Sequence, residues 1–377
     1  KKYISLLQNR NFTPISTMQT INNTFVKSKG LLHEMIMKSY TQKRLHIYDG
    51  GNRNSISGVR ATIYGATGFI GPYVGAVLGQ ISSDVVYPHC HEASFDDDVK
   101  ELKTTASLGQ SWLIKHMNFN DLKMIDRTMA NSNVVINLLG PRKNVKKIHD
   151  FEFLNVEIPR RLARAAAKNP EVIRFIHFSA LGADPKSPSI DLRTKFQGEE
   201  AVLSEFPNAT IMRPATVFGP NDYFTRIIRT QRDYFYHYNV VTDDCTAKKQ
   251  PIYVNDVALA VMNALKMHET CGKTFELGGP HVYSMLEIYE IIFNIMKREP
   301  KLVYFPHEIA LKVAQYIKNW DFLNVDMIVK NKLDIVVSEG ANTISDLYVQ
   351  PVNFPNAMKE FLYPDELQHR TKDEMER

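Results

Sequence analysis

Cysteine is scarce in this chain, whose 377 residues contain only Cys90, Cys245 and Cys271, far apart and without a CxxC pair. Such spacing predicts neither a disulfide framework nor a zinc site. Apolar runs are short as well, and none approaches the roughly 20 residues that a membrane-spanning helix needs. The net charge of +5 comes without a cluster of Arg and Lys interleaved with aromatic residues. We therefore do not expect nucleic acid as a partner.

Acidic residues are absent from the start of the chain, where the first carboxylate is Glu34 and Lys, Arg, Ser, Thr and Asn are frequent. This composition is typical of a mitochondrial targeting segment or its remnant. We expect a mitochondrial matrix protein whose presequence has been removed, with residues 1–54 forming a basic arm ordered by lying on another surface. A packed extension of the same domain is the alternative interpretation.

The strongest positive signal is a glycine-spaced turn at residues 65–71, GATGFIG, between a strand-like run and a helix-like run. Such a turn bends sharply, lets the backbone approach a pyrophosphate, and directs helix N-terminal amides at its charge. It predicts a dinucleotide site. The residues expected at the pyrophosphate are Gly65, Thr67, Gly68, Phe69 and Ile70.

Strand-like runs follow the turn at residues 84–87, 112–116, 133–140, 173–179 and 209–214. The run at 133–140 is continuously apolar and closed by glycine, as expected for a parallel strand buried on both faces. Alternation with helix-like segments predicts an α/β fold with a doubly wound, Rossmann-type parallel sheet and a smaller mixed α/β C-terminal lobe. We place the nucleotide-binding domain at 55–222, and the lobe and tail at 223–377, with the chain returning to the first domain around 250–258.

The end of the second strand bears on the choice of cofactor, because an acid there would accept from both ribose hydroxyls and repel a 2′-phosphate. The chain has His89, Cys90 and His91 at this place and no acid until Glu92. Charge therefore favours NADP(H) over NAD. Two histidines are weak substitutes for an arginine, because most imidazole is uncharged at neutral pH.

From roughly 55 to 280 the chain resembles the short-chain-dehydrogenase-like accessory subunits of mitochondrial respiratory complex I, which bind NADPH. The matching segments are 61–71, 131–140, 174–179, 192–199 and 249–257. The resemblance implies a peripheral protein on the matrix side of the inner membrane. Other complex I subunits and inner-membrane lipid headgroups are its implied contacts, and an independent homo-oligomer is not expected.

The resemblance also completes the expected cofactor site. Asn118 is placed near the adenine, Leu138, Leu139 and Gly140 over the dinucleotide, Lys195 on the nicotinamide ribose, and Ser179, Pro214 and Val217 around the nicotinamide. Pro214, which fixes φ and withholds a donor at the sheet edge, suits a wall for the flat ring.

Two positions depart from the pattern of the family. Cys90 stands where an Arg usually pairs with the 2′-phosphate, so phosphate affinity falls to His89, His91 or another residue. Active members carry a Tyr four residues before the Lys, which lowers the pKa of the phenol. That position is Asp191 here, and no Tyr occurs between Tyr87 and Tyr223.

We therefore predict a non-catalytic, NADP(H)-binding accessory subunit needed for assembly and stability near the junction of the matrix and membrane arms. An active atypical NADP-dependent reductase is one alternative, with Ser179 orienting a carbonyl oxygen and Lys195 acting as acid and base. A nucleotide-sensing regulator of the same fold is the other. No catalytic residue and no metal site is predicted.

Overall fold

The computed structural model describes residues 57–90, 96–105, 110–141, 147–234, 238–241, 245–316 and 325–362. The basic arm predicted at 1–54 and the end of the tail lie outside these residues. All the described residues belong to one compact unit, Leu45–Arg377.

An eight-stranded parallel sheet forms the centre of this unit. Its strands are β1 (Arg60–Tyr64), β2 (Asp84–Pro88), β3 (Gln110–Ile114), β4 (Val134–Asn137), β5 (Arg174–Phe178), β6 (Thr210–Pro214), β11 (Thr274–Leu277) and β14 (Asn342–Thr343). They lie in the order β14-β11-β6-β5-β4-β1-β2-β3. The strand order reverses between β1 and β4, where doubly wound sheets bind ligands at their carboxyl edge. The predicted α/β class with a Rossmann-type sheet is confirmed.

Helices cover the sheet and build the lobe. They are α1 (Gly71–Gln80), α2 (Asp96–Thr104), α3 (Leu122–Met129), α4 (Ile148–Glu152), α5 (Ile158–Lys168), α6 (Ile190–Glu205), α7 (Tyr223–Tyr234), α8 (Val254–Lys266), α9 (Met285–Ile295), α10 (His307–Tyr316), α11 (Val325–Asn331) and α12 (Phe354–Phe361). A π turn, Phe153–Glu157, joins α4 to α5. The sequence predicts one regular helix over 150–168, and this turn interrupts it just before Pro159, which lacks the amide hydrogen of a regular ladder.

Beside the main sheet, the described residues form three two-stranded sheets at and beyond the start of the lobe. They are β7 (Val217–Phe218) with β10 (Ile252–Tyr253), β9 (Lys248–Lys249) with β12 (Tyr283–Ser284), and β8 (Asn239–Val241) with β13 (Leu302–Tyr304). The main sheet also takes β11 and β14 from beyond residue 222, so the two parts share strands. The domain boundary at 222 stays a prediction.

The sequence predicts a strand from residue 112, a helix from Lys195, and a helix capped by Asn255 or Asp256, and the structure differs at all three places. Strand β3 begins at residue 110 rather than 112 and ends before His116, which has a positive φ of 58°. Helix α6 begins at residue 190 rather than 195, because the Ser189 hydroxyl accepts from Leu192 N at 3.3 Å and caps it. Helix α8 is preceded by Tyr253, so Asn255 and Asp256 lie inside its first turn instead of capping it.

Two apolar clusters meet beside the glycine turn. The first fills the space between the sheet and its helices, and includes Ile63, Val134 and Ile176. The second lies inside the lobe around Phe218 and Phe293. Ile70, Tyr73 and Val217 pack against both clusters, so the turn touches the main sheet and the lobe at once.

Candidate functional site

The glycine turn follows β1 with a geometry that only glycine adopts easily at its first position. Gly65 has a φ of +79°, and a Cβ there would lie 2.9 Å from the Leu138 carbonyl carbon. Any larger residue would therefore strain the backbone and collide with the end of β4. Gly68 N donates to Gly65 O at 3.0 Å, and Gly68 itself is exposed. The turn thus presents bare backbone at Gly68 to a ligand.

The start of helix α1 is open to an anion. Its N-cap residue, Ile70, is helical, and the apolar Ile70 side chain accepts no hydrogen bond from the amides of the first turn. No acidic residue stands in the first turn, and proline occupies one of its first positions. The partial positive charge of the helix end is therefore uncompensated, which favours a bound phosphate group.

The Phe69 side chain belongs to the packing rather than to the opening. Its ring stands edge to face with that of Tyr73, with centroids 5.8 Å apart, and faces the backbone of Gly219. Ile70 packs against both apolar clusters, and Thr67 is half-buried. Phe69 and Ile70 can therefore offer their backbone amides to a pyrophosphate, while their side chains hold the turn to the lobe.

The end of β2 lies where the sequence places the adenosine ribose. The His89 ring is buried, with 7% of the residue exposed, and Cys90 Sγ donates to Met117 O at 3.0 Å. Asn118 is exposed, and its Oδ1 accepts from Asn120 N at 2.9 Å. His91 lies outside the described residues. Contacts of these residues with a 2′-phosphate or an adenine stay predictions.

The end of β4 forms the opposite side of the switch point. Leu138 N donates to Tyr64 O at 2.9 Å, and Leu139 N donates to Asn137 Oδ1 at 3.1 Å. The Asn137 amide also bonds to His177 Nδ1 at 3.1 Å, which ties β4 to β5. Leu138, Leu139 and Gly140 are all partly exposed beside the glycine turn. This position suits their predicted place over a dinucleotide.

Ser179 and Lys195 meet at the carboxyl end of β5. Lys195 Nζ donates to Ser179 O at 3.3 Å. Ser179 is 2% exposed, and its Oγ has no hydrogen-bond partner among the described residues. A buried hydroxyl without a partner is costly, so a polar group of a ligand is expected beside it. Together with the bare glycine turn, this hydroxyl fits a nicotinamide dinucleotide, whose bound nicotinamide would supply hydride chemistry.

Pro214 and Val217 lie on the next strand and on the connection into the lobe. Pro214 O accepts from Leu181 N at 2.9 Å, which fixes the loop after Ser179. Val217 pairs with Ile252 and packs against both apolar clusters. Each lies beside the carboxyl edge, as the sequence predicts, and contact with a nicotinamide stays a prediction.

Asp191, at the position of the missing phenol, is held in a buried ion pair. Its Oδ2 accepts from Lys330 Nζ at 2.7 Å, and its Oδ1 accepts from Asn155 Nδ2 at 3.1 Å. Burial raises the pKa of this carboxyl, but the charges of Lys330 and Lys195 outweigh it and hold the pKa well below its usual range. An ion-paired carboxylate with a lowered pKa is ionised near neutral pH and carries no proton to donate, unlike the phenol of active members.

Nearby His177 does not offer a proton either. Burial, with a smaller contribution from Lys195, lowers the pKa of its imidazole to about 3. The ring is therefore neutral at any physiological pH. Across the described ranges, no group of three or more His, Cys, Asp or Glu side chains is arranged to hold a metal ion. Among the same residues, no helix combines the length and apolar composition needed to cross a bilayer.

Comparison with known proteins agrees with this geometry. The NAD dependent epimerase/dehydratase family matches residues 61–278, more than half of the chain. The chain belongs to this family. It is 37% identical over 328 residues to NADH dehydrogenase (ubiquinone) 1 alpha subcomplex subunit 9, mitochondrial, of Arabidopsis thaliana, with 83% of this chain and 79% of the relative covered. It is 32% identical to the mitochondrial NADH-ubiquinone oxidoreductase 40 kDa subunit of Neurospora crassa, over 84% of this chain and 82% of that protein. The predicted resemblance to complex I accessory subunits is confirmed.

Solved structures share the fold. A UDP-glucuronic acid 4-epimerase of Bacillus cereus, solved with NAD, superposes with a TM-score of 0.63 at 17% identity, covering 81% of this chain and 98% of the epimerase. The UDP-glucose 4-epimerase of Thermotoga maritima gives a TM-score of 0.62 at 17% identity, covering 83% of this chain and 99% of that enzyme. Identities this low support the fold alone.

Sequence reasoning missed the residues that surround Asp191. Lys330 is 139 positions away along the chain, and Asn155 lies on the unexpected π turn. Neither has a spacing that links it to the nucleotide motif. The one available signal was a carboxylate at position 191, one turn before the predicted binding lysine, because a charge that folding buries needs a partner.

Proposed function

We propose that this chain is a non-catalytic accessory subunit of mitochondrial NADH:ubiquinone oxidoreductase that binds one NADP(H) as a structural ligand. The observation that carries the proposal is the contrast at one sheet edge. The glycine turn and the helix end are open to a pyrophosphate, while Asp191, in place of a phenol, is ion-paired with Lys330. Binding is thus supported and proton transfer is not.

Two further observations support the proposal. The two relatives from Arabidopsis and Neurospora, named as subunits of an NADH dehydrogenase and of an NADH-ubiquinone oxidoreductase, align over most of this chain. In addition, the turn packs against both apolar clusters, so a ligand that binds only the folded turn stabilises the sheet and the lobe together. At a ligand concentration 100 times the dissociation constant, such binding raises the free energy of unfolding by about 2.7 kcal/mol.

The preference for NADP(H) over NAD(H) is part of this proposal. It is supported by the absence of an acid at the end of β2, where Pro88, His89 and Cys90 stand. The proposed location is the matrix side of the inner membrane, near the junction of the matrix and membrane arms. It is proposed from the family resemblance.

In the test, cells express the Gly68→Asp variant in place of the wild-type chain. This variant is designed to fold but not to bind nucleotide. A structural nucleotide predicts less assembled complex I with unchanged turnover per assembled complex. Unchanged assembly, or carbonyl-dependent NADPH oxidation by the isolated wild-type chain at enzyme-like rates, would contradict the proposal. The second result would instead support an atypical reductase.

A further inference from the structure

Residues 325–338, which we call the strap, bring a second cation to the edge of the nucleotide site. The strap begins with helix α11 and then continues past β9 to β11, where Ser338 N donates to Glu276 Oε2 at 2.8 Å. It comes from the last third of the chain, outside the segments that carry the family resemblance. Its two halves are fixed to the fold by different sets of hydrogen bonds.

The first half of the strap is bound to the start of helix α6. Asp326 accepts from Ser189 Oγ at 3.0 Å and from Ile190 N at 2.6 Å. One turn further along α11, Lys330 Nζ reaches Asp191 Oδ2 at 2.7 Å. Asp326 and Lys330 of the strap thus bind the N-cap and the first two residues of α6.

The second half is anchored on β9. The buried Lys249 Nζ donates to Lys330 O at 3.0 Å and to Leu333 O at 2.6 Å. Ile335 N donates to Lys248 O at 2.8 Å, and the Ile335 side chain joins the main apolar cluster. Hydrogen bonds therefore fix the strap backbone both before and after Lys330. This fixed backbone positions the Lys330 ammonium at Asp191.

The ion pair between Asp191 and Lys330 matters because Asp191 could otherwise attract Lys195. Asp191 and Lys195 are four residues apart on α6, and such residues lie on one face with Cβ atoms about 5–6 Å apart. Burial lowers the pKa of Lys195, the charge of Asp191 opposes this lowering, and the charge of Lys330 adds to it. With Lys330 removed, the buried carboxylate would keep only Asn155 and would draw the Lys195 ammonium towards itself. Lys195 Nζ would then leave Ser179 O, which it now contacts at 3.3 Å.

We propose that Lys330 is a positioning residue of the nucleotide site: by neutralising Asp191 it leaves Lys195 directed at the nicotinamide ribose. The strap is then an essential part of the binding site rather than a covering segment. This inference rests on the proposed function, because it assigns a role in binding NADP(H). It also explains how a carboxylate is tolerated one turn before the binding lysine.

The test measures NADPH affinity of the full 377-residue chain by titration calorimetry in five forms. These are wild type, Lys330→Met, Lys330→Arg, the double variant Asp191→Asn with Lys330→Met, and Lys332→Met. Lys332 is exposed on the same segment and serves as the matched control. We expect Lys330→Met to weaken binding at least fivefold, a size typical of coupling between sites. Lys330→Arg, Lys332→Met and the double variant should stay within about threefold of wild type, a loss smaller than that coupling.

The double variant separates the charge argument from loosening of the strap. If Lys330→Met weakens binding only because the strap detaches or the chain unfolds, the double variant will be as weak as the single one, and the inference is overturned. Wild-type affinity in Lys330→Met would also overturn it, while the proposed function stands. If wild type binds no NADPH, the proposed function fails and the inference fails with it.

Discussion

Gly68→Asp should weaken nucleotide binding about 100-fold or more while the chain still folds. A Cβ at Gly68 would meet only Gly65 O, at 3.2 Å, a tight contact that the turn relieves by a shift of a few tenths of an ångström, and this residue has no positive φ. The new carboxylate lies just before helix α1, where an acidic group is favourable by about 0.3–1 kcal/mol. The ligand-free variant should therefore be as stable as wild type or slightly more stable.

The loss of affinity can be worked from the contacts that the turn offers. A hydrogen bond to a charged group contributes about 1.5–3 kcal/mol. If the carboxylate displaces a phosphate from two backbone amides, the loss is at least about 3 kcal/mol, or about 100-fold in the dissociation constant. At an NADPH concentration that raises the free energy of unfolding of wild type by about 2.7 kcal/mol, that of the variant should rise by only about 0.4 kcal/mol.

Thermal unfolding with and without NADPH, together with titration calorimetry, measures both quantities. Gln80→Glu is the matched control, because Gln80 is the exposed last residue of the same helix and the variant adds the same charge. Gln80→Glu should bind like wild type. Binding of Gly68→Asp within threefold of wild type would refute the assignment of the turn to the pyrophosphate. A ligand-free variant that unfolds far below wild type would refute the separation of binding from folding.

Three further predictions concern the residues around Ser179 and Asp191. Ser179→Ala should raise the ligand-free stability by about 1 kcal/mol, because it removes an unpartnered buried hydroxyl, and should reduce the stabilisation by NADPH in thermal unfolding. Asp191→Tyr should give no reductase activity with carbonyl substrates and should cost about 3 kcal/mol in urea unfolding, because it leaves Lys330 without its partner; wild-type stability would contradict the ion pair. Burial, with the charge of Lys330, lowers the pKa of Lys249 from 10.5 to about 8, so the unfolded chain binds more protons between those pH values. The stability of wild type relative to Lys249→Met should therefore rise by about 3 kcal/mol from pH 8 to 10.5, and parallel pH profiles would contradict it.

The sheet and the glycine turn were predictable because their signals are local. Buried parallel strands read as continuous apolar runs, such as Val134–Asn137, and a strand, a glycine turn and a helix follow each other directly along the chain. Their arrangement then follows from the order rule of doubly wound sheets, which places the site between β1 and β4.

The partners of the buried charges were not predictable for the opposite reason. Lys330 meets Asp191 only because α11 packs on α6, and no pattern within either segment indicates this contact. The start of α6 was misplaced because the Ser189 cap lies in a Pro- and Ser-rich loop, where the boundary signal is weak. Burial of His89 also depends on side-chain packing at the end of β2, which composition cannot reveal.

Mass spectrometry of the assembly purified through a tag on this chain tests the central claim most directly. After denaturation, the account predicts one NADP(H) for each copy of the chain, together with the other subunits of NADH:ubiquinone oxidoreductase. A chain that purifies without those subunits, or an intact complex without nicotinamide nucleotide beyond the amount accounted for by its other sites, would contradict the account.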